Sequence, residues 1–341
     1  LNLEKIKKVY EQFEQGIKLL QDDADLAYLD AFIALADDLL SGGQIEDPAG
    51  ALKKQTVTKL EEIYQQIDLS VLEPEEIRQV IQLVLLQAYR QEKIQANHQM
   101  TPDSIGFLLE YLVEKLTQPT QKLKILDLTV GTGNLLTALM LRLQANGWKD
   151  LHGLGIDNDD TLLAIASIGA QFEGLNIDLY HQDAIEDLAV SAADLIISDL
   201  PVGYYPLDER VQEFKTHAKE GHSYVHHILI EQSLNVLNPG GFGLFVVPGG
   251  LFETKESQKL LQVIQDKGYL QGLLNLPAEL FANKAARKSL LIIQKKGRSV
   301  HQAKQVLLGD FPSFKQQAEF GSFLNEIDTW IKNEQITFNK E

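Results

Sequence analysis

Cysteine is absent from the 341 residues. Neither a disulfide framework nor a thiolate-bound metal is open to this chain. No apolar run approaches the roughly 18 residues that a membrane helix needs, so no membrane span is expected. The opening stretch, LNLEKIKKVYEQFEQG, lacks the apolar centre of a secretory leader. A cytoplasmic location is the resulting expectation. Positive charge is also short: 31 Lys and Arg stand against 48 Asp and Glu, for a formal net charge of -17. A polyanionic partner would meet an unfavourable overall field, which opposes tight, unaided DNA binding. It does not oppose a local basic patch. One runs through Lys284, Arg287, Lys288, Lys295, Lys296 and Arg298, read here as a solvated flank of the last strands.

What is present is enough apolar material, 44% of the residues, to fill a sizeable core and two domains. Residues 1–95 read as helices. Leu26, Leu29, Ile33, Ala36 and Leu40 recur at spacings of three and four, with Phe32 on the same face. SGGQIEDPAG reads as a loop or linker. The run from Val80 to Leu86, broken only by Gln82, predicts a buried helix. In MTPDSIGFLLEYLVEKL, Pro102 can open a helix and Asp103 or Ser104 can satisfy its first free N–H groups.

From residue 96 to 341 the pattern changes. Seven short, branched apolar runs occupy 123–130, 153–159, 176–183, 193–200, 241–249, 270–277 and 289–296. Helical stretches at 134–146, 159–173, 223–237 and 255–267 separate most of them. Strands alternating with helices predict a parallel-rich α/β sheet covered on both faces. The short link between the last two predicts an antiparallel pair at one edge. A final helix is expected around 322–333.

The strongest local signal is Asp127-Leu128-Thr129-Val130-Gly131-Thr132-Gly133-Asn134-Leu135, between a strand and a helix. Glycine lets the backbone turn sharply and approach a ligand. Only Gly131 and Gly133 fit a dinucleotide fingerprint, and the GK[ST] ending of a phosphate loop is missing. Three more strands end at or near carboxylates. Asp157 can accept from two ribose hydroxyls, and Asp183 from an exocyclic amine on an adenine ring. Asp199 follows the fourth strand. Each could equally cap the next helix. Ile156, Ile185 and Leu200 are candidate ring walls, with core the better account of Ile156. Thr132 and Asn134 can bond either a ligand or the loop. His222, His226 and His227 do not form a convincing metal arrangement, and no metal requirement is expected.

In order along the chain, MTPDSIGFLLEYLV, LDLTVGTGNLL, GLGIDND, HQDAI, ISDLPVGYYP, VVPGGLF and LLNLPAELFANKAARKSLLIIQKKG resemble class I S-adenosylmethionine-dependent methyltransferases. They are most similar to N6-adenine DNA methyltransferases related to type I restriction-modification subunits. The resemblance implies a Rossmann-like, seven-stranded mixed sheet with helices on both faces, plus an N-terminal helical domain. It implies S-adenosylmethionine as cofactor. Asp127, Thr129, Gly131, Thr132, Gly133 and Asn134 would shape its methionine and sugar side. Asp157 and Asn158 would hold the ribose, and Asp183 and Ala184 the adenine. Thr101 and Pro102 would close over it.

ISDLPVGYYP would then be the catalytic motif, whose usual form is Asn, Asp or Ser, then Pro-Pro, then an aromatic. The Asp199 side chain and Leu200 carbonyl would accept the hydrogens of a target amino group, followed by Pro201. Two positions depart from the pattern: Leu200 replaces the first proline, and Val202 replaces the aromatic. Tyr204 or Tyr205 could supply the missing ring. No target-recognition domain is evident after residue 300, so a separate recognition subunit, or an acceptor other than DNA, is implied. The competing expectations are a cofactor-binding scaffold without chemistry and, against the missing glycine, an NAD-dependent dehydrogenase.

Overall fold

The protein is described by a computed structural model covering residues 1–47, 50–91 and 100–338. The boundary expected between 95 and 96 lies outside the described residues, as do Pro48 and Ala49 of the linker.

Four helices come first: α1 (Leu3–Ala24), α2 (Tyr28–Leu40), α3 (Lys54–Gln66) and α4 (Pro74–Gln91). In α1, the Asn2 side chain accepts from the Lys5 N–H and caps the first turn. Its Ile6, Val9, Phe13, Ile17 and Leu20 return at helical spacing and are buried. In α2, Leu29, Phe32 and Ala36 are buried as the spacing predicts, while Leu40 is exposed at the helix end. Pro74 opens α4, where Glu75 and Glu76 meet the positive end of the helix dipole. Val80, Ile81, Val84 and Leu85 of α4 face the core.

The remainder alternates: α5 (Asp103–Leu116), β1 (Leu123–Asp127), α6 (Asn134–Ala145), β2 (Leu151–Asp157), α7 (Asp160–Phe172), β3 (Ile177–His181), β4 (Ala193–Asp199), α8 (Val225–Val236), β5 (Leu237–Pro248), α9 (Ser257–Lys267), β6 (Gly268–Asn275), β7 (Lys288–Lys295), β8 (Leu307–Asp310) and α10 (Gln317–Glu334). The strand order is β3-β2-β1-β4-β5-β7-β6-β8. The seven predicted strands are present, and an eighth, β8, extends the sheet. It pairs parallel to β6, so the antiparallel strand is β7, set inside the sheet between β5 and β6.

Successive side chains of the central strands enter opposite cores. Ile125 and Ile197 join one cluster, Leu126 and Ile196 the other. Both faces are therefore dry, which explains the near-continuous apolar runs. The core of the N-terminal helices also takes in Ile165 and Ile168 of α7. No helix among the described residues is long and apolar enough to cross a membrane.

Candidate functional site

The strand order reverses at β1, which pairs with β2 on one side and β4 on the other. Loops after such strands diverge and leave a crevice at their carboxyl ends. Gly131 and Gly133 sit there with φ of 52° and 80°. That is the left-handed region, which favours glycine. A Cβ on Gly133 would also lie 3.1 Å from Ala166 Cβ, so the turn and the close packing of α6 on α7 both need it. Around Gly131 there is open space.

Three carboxylates ring this turn. Asp157 Oδ2 accepts from Gly131 N–H at 2.8 Å, and its Oδ1 from Asp159 N–H at 3.0 Å. Asp127 accepts from the Ser198 hydroxyl at 2.6 Å and the Thr129 N–H at 3.1 Å. Burial pushes the Asp127 carboxyl up to about 7, against those two hydrogen bonds, with Asp157 and Asp199 pushing the same way. Burial also raises Asp157, opposed by the Gly131 and Asp159 N–H groups.

Two cavities meet at Asp199 and Pro201. The larger, about 430 Å³, is bordered by Thr129, Gly131, Asp157, Asn158, Asp183, Ala184 and Ile185. Its size is that of a small-molecule site. The smaller, about 80 Å³, is bordered by Thr101, Asp127, Thr132, Asn134, Leu200 and Lys288. Most of the predicted positions thus converge. Pro102, Gly133 and Tyr204 border neither cavity; Pro102 stands at the N-cap of α5. Ile156 is core, with no exposure. Asp103 does not cap α5 with its side chain, because its carboxylate faces Arg78 and Gln82.

The loop after β4 brings one correction. Tyr205 is buried, and its hydroxyl donates to Asp183 Oδ2 at 2.7 Å. It belongs to the wall of the larger cavity, with its ring packed away. Burial and the bond to Asp183 raise its hydroxyl to about 12. Tyr204 differs: it is 57% exposed and stacks on Tyr224, with ring centroids 4.8 Å apart. Residues 204 and 224 also pair as an antiparallel bridge. His226 lies behind this loop, buried and held down to about 3 by desolvation, then by His227, while a hydrogen bond with the Pro201 backbone opposes the shift. His227 is likewise held down to about 4 by burial.

Three residues that spacing did not single out complete the site. Lys288 Nζ lies 2.6 Å from Asp199 Oδ1, and the Thr101 hydroxyl donates to Asp199 Oδ2 at 3.1 Å. Arg210 borders the larger cavity and reaches Asp183 at 3.4 Å and Glu186. Tyr224 supports Tyr204. Lys288 was visible only as part of a basic run. That run divides: Lys284 and Arg287 are exposed beside Lys288, whereas Lys295 and Lys296 donate to carbonyls at the other end of β7.

S-adenosylmethionine fits this arrangement. A cavity of suitable size joins Asp157 to Asp183, and the carboxylates at the glycine turn suit a cofactor carrying an ammonium and a sulfonium. No group of three or more metal-binding side chains occurs among the described residues.

Known proteins place the chain further. It is 38% identical to an uncharacterized protein, YtxK, of Bacillus subtilis, over 96% of this chain and 97% of that one. A Listeria monocytogenes chain described as a candidate class I S-adenosylmethionine-dependent methyltransferase superposes with a TM-score of 0.87 at 37% identity, covering 96% of this chain and 99% of that one. A type I restriction-modification methyltransferase subunit from Streptococcus thermophilus shares the fold, with a TM-score of 0.65 at 17% identity over 98% of this chain and 78% of that one. Residues 7–89 match the YtxK N-terminal helical domain. Residues 81–332 match the N-6 DNA Methylase model, and on that match the chain belongs to the N-6 DNA Methylase family, with the class I S-adenosylmethionine-dependent methyltransferase fold.

Proposed function

We propose that the protein transfers the methyl group of S-adenosylmethionine to an amino nitrogen on a planar base, with the N6 of adenine in DNA as acceptor. The observation that carries this reading is the position of Asp199, which borders both cavities at the end of β4. The cofactor supplies an electrophilic methyl. Asp157 and Asn158 would hold its ribose, and Asp183 and Ala184 would bind its adenine. The Asp199 carboxylate and the Leu200 carbonyl accept the two hydrogens of the acceptor amine. That draws the nitrogen lone pair out of the ring and towards the methyl carbon. Attack would be direct, with no covalent enzyme intermediate; the methyl–sulfur bond would break to leave the thioether product of the cofactor, and the released proton would go to Asp199. Orientation and charge placement supply the rate. Tyr204, braced by Tyr224, offers the ring face that Val202 lacks, for a base turned out of its duplex.

Charge bears on the acceptor. The net charge of -17 opposes a polyanion, but Lys288 borders the smaller cavity, and Lys284 and Arg287 are exposed just before it in the chain. These cations give a phosphate backbone a local foothold, and a separate recognition subunit supplies the rest of the contact.

A second reading, a cofactor-binding scaffold without chemistry, draws on one observation: both oxygens of Asp199 are already engaged, by Lys288 and Thr101. One experiment separates the two. Tritium transfer from labelled S-adenosylmethionine to unmethylated DNA is measured with wild type and Asp199→Ala, beside calorimetry of the cofactor. Transfer that disappears in the variant supports the enzyme. Cofactor binding without transfer to DNA, RNA or protein supports the scaffold.

A further inference from the structure

α4 lies in the N-terminal helical region, yet its polar face is spent on the site. Arg78 is 2% exposed, and all five of its N–H donors are used. Nε and Nη2 donate to Glu75 at 2.9 and 2.6 Å, and Nη1 and Nη2 to the two oxygens of Asp103 at 2.9 Å each. The remaining Nη1 hydrogen goes to Asn134 Oδ1 at 3.0 Å. One turn on, Gln82 Nε2 donates to Asp103 and to Asn134, both at 2.9 Å. Asn134 closes the glycine turn at the start of α6, and its own amide donates to the Thr101 carbonyl at 3.0 Å. The Thr101 hydroxyl then donates to Asp199.

A fully buried guanidinium is costly unless every donor is met in good geometry. Here that geometry fixes two neighbours of the cofactor turn rather than the core of the helices. We infer that Arg78 and Gln82 are positioning residues: through Asn134 and Thr101 the N-terminal helices set the glycine turn and Asp199. The inference rests on the reading of the pocket given above, and it makes the helical region part of the machinery. By linkage, a cofactor that needs this arrangement must tighten α4 in return, although α4 borders neither cavity.

The test uses the full chain. Calorimetry gives S-adenosylmethionine affinity for wild type, Gln82→Met, Thr101→Val and the double variant. Hydrogen exchange is read in α4 with and without cofactor. We expect Gln82→Met, folded by circular dichroism, to bind about 5–10-fold more weakly. The double variant should lose less than the product of the two single losses, and α4 amides should exchange more slowly with cofactor bound. A merely structural role would lower thermal stability and leave affinity and ligand-linked exchange alone. Unchanged affinity in folded Gln82→Met, or unchanged α4 exchange in wild type, overturns the coupling while the pocket stands. If Gln82→Met does not fold, α4 exchange in wild type decides alone. Folded wild type that binds no cofactor overturns the pocket reading and this inference with it.

Discussion

The two halves of the site are built differently. On the side of β2 and β3, the cavity is roomy and its carboxylates Asp157 and Asp183 stand at its edge. On the side of β4 and β7, the space is small, and Asp199 is held by a cation and a hydroxyl from the protein itself. The first half has room for a ligand, although Asp157 accepts from two backbone N–H groups and Asp183 from Tyr205 and Arg210. The second lacks that room, and any ligand there meets an Asp199 already held by Lys288 and Thr101. A carboxylate keeps lone pairs beyond those already used, so in the proposed reaction an acceptor amine would share Asp199 and Lys288 would have to yield space. On that proposal, cofactor capture and acceptor capture are separable events with separate determinants.

Mutations can break that separation or sharpen it. The largest effect is expected from Asp199→Ala: transfer falls about 10²–10³-fold in the labelled-methyl assay, while calorimetric cofactor affinity stays near wild type. Asp157→Ala does the reverse, weakening cofactor binding about 100-fold through lost charge-assisted bonds. If either variant changed both readouts equally, the halves would not be separate. Tyr204→Leu should raise the acceptor KM about tenfold, since stacking on a base is worth roughly 1–3 kcal/mol, with cofactor affinity unchanged.

Smaller still are two pH effects of opposite sign. The folded-state pKa of Asp127 is raised from 3.8 to about 7. The fold therefore favours its protonated form, and that contribution is present below 3.8 and lost as pH rises through about 7. Between those values Asp127→Asn should flatten the decline of melting temperature with rising pH. The folded-state pKa of His226 is lowered from 6.5 to about 3. Its contribution is present above 6.5 and lost as pH falls towards about 3. His226→Gln should flatten the acid limb alone, as read by thermal melts across that range.

The divide in the site is also a divide in what the sequence discloses. The glycine turn and the carboxylates at strand ends are local in the chain, so a strand followed by Gly131, Gly133 and a helix announces itself. The missing partners are distant. Lys288 lies 89 residues from Asp199. A signal for it did exist: β7 runs antiparallel, so its first residue falls on the edge where β1 to β5 end, with Lys288 opposite Pro248. Tyr205 misled because adjacent tyrosines look alike in sequence, and only the turn at Gly203 decides which ring faces out. β8 escaped because it is four residues long, half exposed and contains Gly309. Gln82 reads as the one polar interruption of the run from Val80 to Leu86, Arg78 stands just before that run, and nothing local says that they face another buried surface.

The core shared between the N-terminal helices and α7 bears on modularity. A cassette that evolution or an engineer could exchange should end where its apolar contacts end. Here Ile165 and Ile168, buried among residues of α1 to α4, belong to a helix between β2 and β3. Removing the first four helices would wet both, at roughly 1.5–3 kcal/mol each, and would strip Asp103 of its guanidinium. The consequence is cooperative melting: helices and sheet should unfold in a single transition by calorimetry, and a chain begun after α4 should not hold its native state.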